Sequence, residues 1–254
     1  MTNTEVKPEA VISVRGLSKA FGQLTVLDKI DVEVLRGENH VVLGRSGSGK
    51  SVLIKILAGL LEPDEGHLTM LGQDLTTLDK AGWLDMRRRI GFLFQGNALY
   101  DSMTVRENLE FPLIRNRREL HSKDIATSVE EVLKQVGLLQ TIDQFPASLS
   151  GGQKKRIGIA RTLILKPEII FYDEPTSGLD PVTCVEINEL IRKVQQQYNT
   201  SAILITHDLT CARSTSDRIS LLAGGRFVCT GSFDEVFRDG RPEARAFYAY
   251  NFIQ

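Results

Sequence analysis

Residues Gly44 to Ser51 read Gly-Arg-Ser-Gly-Ser-Gly-Lys-Ser and fit G-x-x-x-x-G-K-[ST], a loop whose backbone amides cradle phosphates. The flanks match what such a loop needs. Asn39 to Leu43 is a short apolar-rich run of the kind that forms a buried strand, and Val52 to Leu60 predicts a helix with no breaker before Gly59. A flexible Gly/Ser linker is not set between a buried strand and an apolar helix.

Gly44, Gly47 and Gly49 let the backbone take shapes a Cβ resists, and let its amides approach an anion closely. The first amides of the following helix lack partners and carry partial positive charge, which favours phosphate there. Lys50 adds a full charge, aimed at β/γ-phosphates, and the Ser51 hydroxyl is placed to coordinate Mg²⁺.

The 254 residues are long enough for a sizeable core, and 42% hydrophobic with 25% charged is ordinary globular composition. Formal net charge is −1, so nothing suggests a nucleic acid as the main partner. The polar start Met1 to Pro8 has no apolar core of a signal peptide, and no run of 18 apolar residues predicts a membrane span. Cys184, Cys211 and Cys229 are widely spaced, which suits a reducing cytosol rather than a disulfide framework. Cys211 follows His207 by four residues, but two candidate ligands do not make a metal site.

Alternating apolar residues over 11–18 and 26–34 predict half-buried, antiparallel strands, with Phe21 on the turn between them, either a turn residue or a face for base stacking. Strand signals recur at His67 to Gly72 and at Ile90 to Phe94, which exits at Gln95; the stretch through Trp83 between them reads as a polar segment. From Thr104 helices take over. Ser122 to Val136 carries Ile125, Val129, Val132, Leu133 and Val136 on one face. The basic run Arg115, Arg117, Arg118 reads as a solvated loop or helix end and is given no function.

A Ser-Gly-Gly-Gln turn, Ser150, Gly151, Gly152 and Gln153, then opens a helix and forms a second potential anion site. Ile169 to Asp173 is an apolar strand ending on a carboxylate of the kind that holds Mg²⁺, with Glu174 placed by strand alternation on the other side, free to orient or deprotonate water. Asp180-Pro181 caps a helix with Val182, Val185, Leu190, Ile191 and Val194 inward. The strand Ala202 to Thr206 delivers His207 at its carboxyl end, and 218–230 predicts a hairpin.

In this order the set resembles the nucleotide-binding subunit of ATP-binding cassette transporters over roughly residues 11 to 235. Gly44 to Ser51 is similar to Walker A, Gln95 to the Q-loop residue, Leu149 to Gln153 to the signature, and Ile169 to Asp173 to Walker B. Glu174 matches the catalytic glutamate, Ser177 to Asp180 the D-loop and His207 the switch histidine. The resemblance implies an α/β P-loop NTPase with a mostly parallel central sheet, an N-terminal antiparallel β subdomain and an inserted α-helical subdomain. It implies one domain over 1–254: core 10–95 and 166–235, helical subdomain 96–165, tail 236–254.

It also implies a head-to-tail dimer around two ATP. Gly44, Arg45, Ser46, Gly47, Ser48, Gly49, Lys50, Ser51 and Val52 would hold the phosphates, Phe21 the adenine, and Ser150, Gly151, Gly152 and Gln153 the γ-phosphate of the partner's ATP. Ser51, Gln95 and Asp173 would serve Mg²⁺, with Glu174, His207, Lys50 and Gln95 in catalysis. An integral permease would dock near Gln95 to Leu113, at the cytoplasmic face of the inner membrane. The stretch Leu93 to Leu113 further resembles the cassettes of Mla/Mce-type lipid transporters, which implies a phospholipid or other hydrophobic cargo and an Mce-type substrate-binding partner. Gln153 departs from that subfamily, where Met is common. The alternatives are a polar-solute importer such as one for an amino acid, a soluble cassette protein outside transport, and a plain P-loop kinase, which needs neither Ser150 to Gln153 nor His207. The aromatic run Phe247 to Ile253 reads either as a partner contact or as the end of the core.

Overall fold

The computed structural model describes residues 9–117, 121–238 and 241–252. Met1 to Pro8, Arg118 and Ile253 lie outside the described residues. In chain order the elements are β1 (Ala10–Phe21), β2 (Leu24–Leu35), β3 (Asn39–Leu43), α1 (Lys50–Leu57), β4 (Glu65–Met70), β5 (Gln73–Asp74), α2 (Lys80–Arg89) and β6 (Ile90–Leu93). Then come α3 (Val105–Asn116), α4 (Ser122–Gln135), α5 (Gly151–Leu163), β7 (Ile169–Asp173), α6 (Pro181–Tyr198) and β8 (Ser201–Thr206). The chain continues through α7 (Leu209–Thr215), β9 (Arg218–Ala223), β10 (Arg226–Gly231), α8 (Phe233–Arg238) and α9 (Pro242–Phe252).

Two sheets form. The first, β2-β1-β4-β5, is antiparallel throughout. The second runs β10-β9-β3-β8-β7-β6, parallel except for the β9–β10 hairpin at its edge. Every residue of β3, β7 and β8 is buried, as a parallel sheet covered on both faces requires. Strand alternation sorts their side chains into two cores. Val41, Leu43, Ile170, Tyr172 and Leu204 face the helices α3 to α7, whereas Val42, Phe171, Ile203 and Ile205 pack with α1 and the antiparallel sheet. Truncating Phe171, fully buried in the second core, would cost about 3–5 kcal/mol.

Two readings need correction. Lys80 to Arg89 is a helix, N-capped by Asp79, whose side chain accepts from Gly82 N at 2.7 Å, and only Met86 of it is buried. With so little apolar surface to bury, it leaves no periodic stripe for the sequence to show. In α6, Val182 and Val185 are 71% and 48% exposed, and Ile187, Ile191 and Val194 carry the buried face. At 100° per residue, Val185 lies about 200° around the helix from Ile187, on the far side.

Candidate active site

The parallel register sets Leu43 beside Thr206 and Asp173 beside Ile205, so three strands end on one edge. The loop after β3, the acidic pair after β7 and His207 after β8 leave the sheet there. That edge, at the carboxyl ends of the strands, is where open α/β sheets bind ligands. Two glycines shape the loop: Gly49 opens α1 at φ 104°, where a Cβ would lie 2.9 Å from Val26 O, and a Cβ on Gly44 would lie 2.7 Å from Leu222 O.

Lys50 is buried, and its Nζ donates to Gly44 O at 2.7 Å and Arg45 O at 3.1 Å, with a Glu174 oxygen at 3.7 Å. Burial pulls its pKa below the usual lysine range, opposed by the Glu174 charge. Asp173, also buried, has one carboxylate oxygen, Oδ1, with no hydrogen-bond partner. Burial, and then the Glu174 charge, push its carboxyl up.

Glu174 is not on the opposite face of β7. It follows the strand at φ 47°, a left-handed conformation that costs a non-glycine residue about 1–3 kcal/mol. Its N–H donates to Ile205 O at 3.0 Å, the last rung of the β7–β8 ladder, and its carboxylate lies on the same edge as Lys50. There it accepts from Thr206 Oγ1 at 3.1 Å and lies 3.0 Å from His207 Nδ1.

A cleft of about 530 Å³ gathers Phe21, Ser46, Gly47, Gly49, Lys50, Ser51, Val52, Gln95, Glu174 and His207. Phe21 is half exposed, with Lys19 Nζ 5.6 Å from its ring centre. Gln95 Nε2 is 3.4 Å from Ser177 Oγ. A wider cleft, about 970 Å³, lies among Arg88, Arg115, Lys166 and Glu168 and holds none of the strand-end groups.

Ser150, Gly151, Gly152 and Gln153 do not line the nucleotide-sized cleft. Ser150 is the N-cap of α5 in a reciprocal box: Gln153 N donates to Ser150 Oγ at 3.2 Å, and Ser150 N to Gln153 Oε1 at 2.8 Å. Gly152 is required there, since a Cβ would meet Thr183 at 2.5 Å. Arg45 and Ser48 turn to the loop's other side, where a second cavity of about 430 Å³ is closed by Leu222, Glu243 and Phe247. The Arg45 guanidinium sits 4.9 Å from the Tyr250 ring centre, so α9 rests against the loop.

Cys211 is buried in α7, its thiol pushed up to about 12 by burial, whereas the His207 side chain is exposed. Among the described residues no group of three or more His, Cys, Asp or Glu gathers as a metal cluster. Among the buried polar groups absent from the sequence reading, Lys155 is nearest this cleft: it is 2% exposed, and its Nζ donates to Gln95 O at 2.9 Å. Its signal was its place in line with Ile159 and Thr162, four and seven residues on, along the buried face of α5.

The model of the ABC transporter family matches residues 27–177. The chain is 38% identical to the methionine import ATP-binding protein MetN of Cupriavidus metallidurans, over 89% of this chain and 67% of that protein. It is 36% identical to the probable ribonucleotide transport ATP-binding protein mkl of Mycobacterium leprae, over 93% of this chain and 68% of that one. Among solved structures, it is similar to the ATP-binding cassette MJ0796 in a dimeric post-hydrolysis state bound to ADP and Pi, with TM-score 0.80 and 31% identity over 87% of this chain and 98% of that one. It is also similar to cbiO1 of Clostridium perfringens, part of the transporter complex cbiONQ, with TM-score 0.84 and 29% identity over 91% and 92% of the two chains. The chain belongs to the ABC transporter family and is one of its ATP-hydrolysing cassettes.

Proposed function

We propose that this chain drives a membrane permease by closing as a head-to-tail dimer on two ATP and reopening after hydrolysis, working at the cytoplasmic face of the inner membrane. Residues 1–254 act as one cassette, with 10–95 and 166–235 the core, 96–165 the inserted helical part and 236–254 the tail. The carrying observation is that Lys50, Glu174 and His207 converge on one cleft while the Ser150 loop stays outside it. A chain with one phosphate loop and a second, outlying anion site is completed by a second copy, whose Ser150 to Gln153 amides and α5 dipole reach the γ-phosphate. Dimeric cassettes among the similar solved structures support this.

In the mechanism, Lys50 exchanges the Gly44 and Arg45 carbonyls for β/γ-phosphate oxygens. Glu174, oriented by Thr206 and His207, accepts a proton from the attacking water, and His207 adds a contact to the γ-phosphate. Phe21 supplies an open ring face for adenine. The orphaned Asp173 Oδ1, with Ser51 and Gln95 in the adjoining cleft, fits a Mg²⁺ donor set. Mg²⁺ held there would neutralise charge on the β/γ-phosphates.

For the cargo, Leu93 to Leu113 favours a phospholipid or other hydrophobic molecule, handled with an Mce-type partner, and the permease docks on that stretch. A second reading, an importer of a small polar solute, is favoured by the identity to methionine import proteins. Gentle solubilisation of membranes and mass spectrometry of what co-purifies separates them. A multi-spanning permease with a single-span partner and enriched phospholipid supports the first. A permease with a soluble solute-binding protein and no enriched lipid supports the second, and recovery only with ribosomes or DNA overturns both.

A further inference from the structure

The face of α5 that starts at Lys155 grips the Q-loop along its length. Lys155 Nζ donates to Gln95 O at 2.9 Å, Arg161 donates to Ala98 O, and Thr162 Oγ1 lies 3.4 Å from Phe92 O. Between them Gly158 presses on the loop so closely that a Cβ would lie 2.9 Å from Leu93 and 3.5 Å from Asn97. Asn97 and Ala98 are held at φ 62° and 52°, so the segment is fixed in a shape it would not take alone. The other end of α5 is Ser150, five residues before Lys155 on one rigid helix.

Lys155 is the only charged group in that grip with its side chain buried, at 2% exposure, and its neighbouring opposite charges are Asp173 and Glu174. Burying a lysine is costly unless it is paired and hydrogen-bonded. A solvated lysine would serve helix stability as well.

We infer that Lys155 is a positioning residue: through its bond to the Gln95 carbonyl it registers the Ser150 helix against the Q-loop and the acidic strand end, so that engagement of Ser150 by ATP moves Gln95 as one body with α5. This rests on the ATPase reading above.

The test is steady-state ATP hydrolysis by the full chain with its permease, for wild type, Lys155→Met, Lys155→Gln and Glu174→Gln. In Lys155→Met, kcat is expected to fall about 10- to 100-fold, the scale of a lost hydrogen bond to a charged group, with ATP affinity held. Its melting temperature should fall, since Asp173 and Glu174 lose a counter-charge and the Gln95 carbonyl loses its donor, so the kcat comparison is made below the transition. Lys155→Gln keeps an N–H donor without the charge and should restore turnover to within about threefold. Deuterium exchange at the 95–98 amides should rise in Lys155→Met alone, whatever the activity. Wild-type kcat and exchange in Lys155→Met, or equal loss in Met and Gln variants, would overturn the inference. If wild type and Glu174→Gln hydrolyse ATP alike, the ATPase assignment of Glu174 fails instead, and the exchange measurement still judges Lys155.

Discussion

His207 Nδ1 lies 3.0 Å from both carboxylate oxygens of Glu174, and Lys50 Nζ is 3.7 Å from one of those same oxygens. A single carboxylate thus connects the buried lysine of the Gly44 to Ser51 loop to the histidine that leaves the neighbouring strand. Its backbone, left-handed at φ 47°, follows directly on β7, whose ladder to β8 ends with the Glu174 N–H on Ile205 O.

Replacing Glu174 with Gln keeps the shape and the contacts to Thr206 and His207 but removes the proton acceptor. Turnover should fall by roughly 10² to 10⁴ while ATP still binds, and the variant should accumulate as an ATP-dependent dimer. Single-turnover hydrolysis together with size-exclusion chromatography in ATP reads both effects.

Lys50→Ala removes a buried cation from the loop and leaves the Gly44 and Arg45 carbonyls without that donor. ATP affinity is expected to drop about 10- to 100-fold, the scale of a charge-assisted hydrogen bond, as measured by isothermal titration. Unchanged affinity and turnover would exclude Lys50 from phosphate binding.

His40 lies wholly buried, with Nε2 2.9 Å from Ser220 Oγ and Nδ1 3.4 Å from Glu38, which also pairs with Arg218 at 2.8 Å. Burial lowers its pKa, more than the Glu38 charge restores, so the folded ring is neutral where an unfolded one protonates. With the folded pKa below the unfolded value of 6.5, the unfolded state binds more protons, and stability falls as pH drops from about 6.5 toward the folded value. The slope is at most about 1.4 kcal/mol per pH unit for this one group. His40→Gln should flatten that part of a melting-temperature profile taken between pH 5 and 7.5.

Asn108 is buried in α3 and ties the chain just past the Q-loop: its amide donates to Tyr100 O, Met103 O and Thr104 O, and its Oδ1 accepts from Tyr100 N at 2.8 Å. Asn108→Ala should cost about 2–3 kcal/mol in chemical denaturation, because buried backbone groups lose their partner. It should also weaken capture of the permease, since Tyr100 to Thr104 lies within the proposed docking stretch.

Much of this was legible because the chemistry and the fold coincide in sequence. The apolar strands β3, β7 and β8 run straight into glycine, carboxylate and imidazole, so their ends announced the site. What stayed hidden involved residues whose type misstates their surroundings. Lys155 is a charge inside, Val182 and Val185 are apolar groups outside, and α2 buries one methionine fully while Trp83 packs partly against the core. Glu174 failed differently: strand alternation does not foresee a residue that leaves the strand in left-handed backbone.

The contact between Tyr250 and Arg45 has a practical side. A label or substitution placed on α9 bears on the Gly44 to Ser51 loop through that contact, so a probe there loads the cleft it is meant to report on.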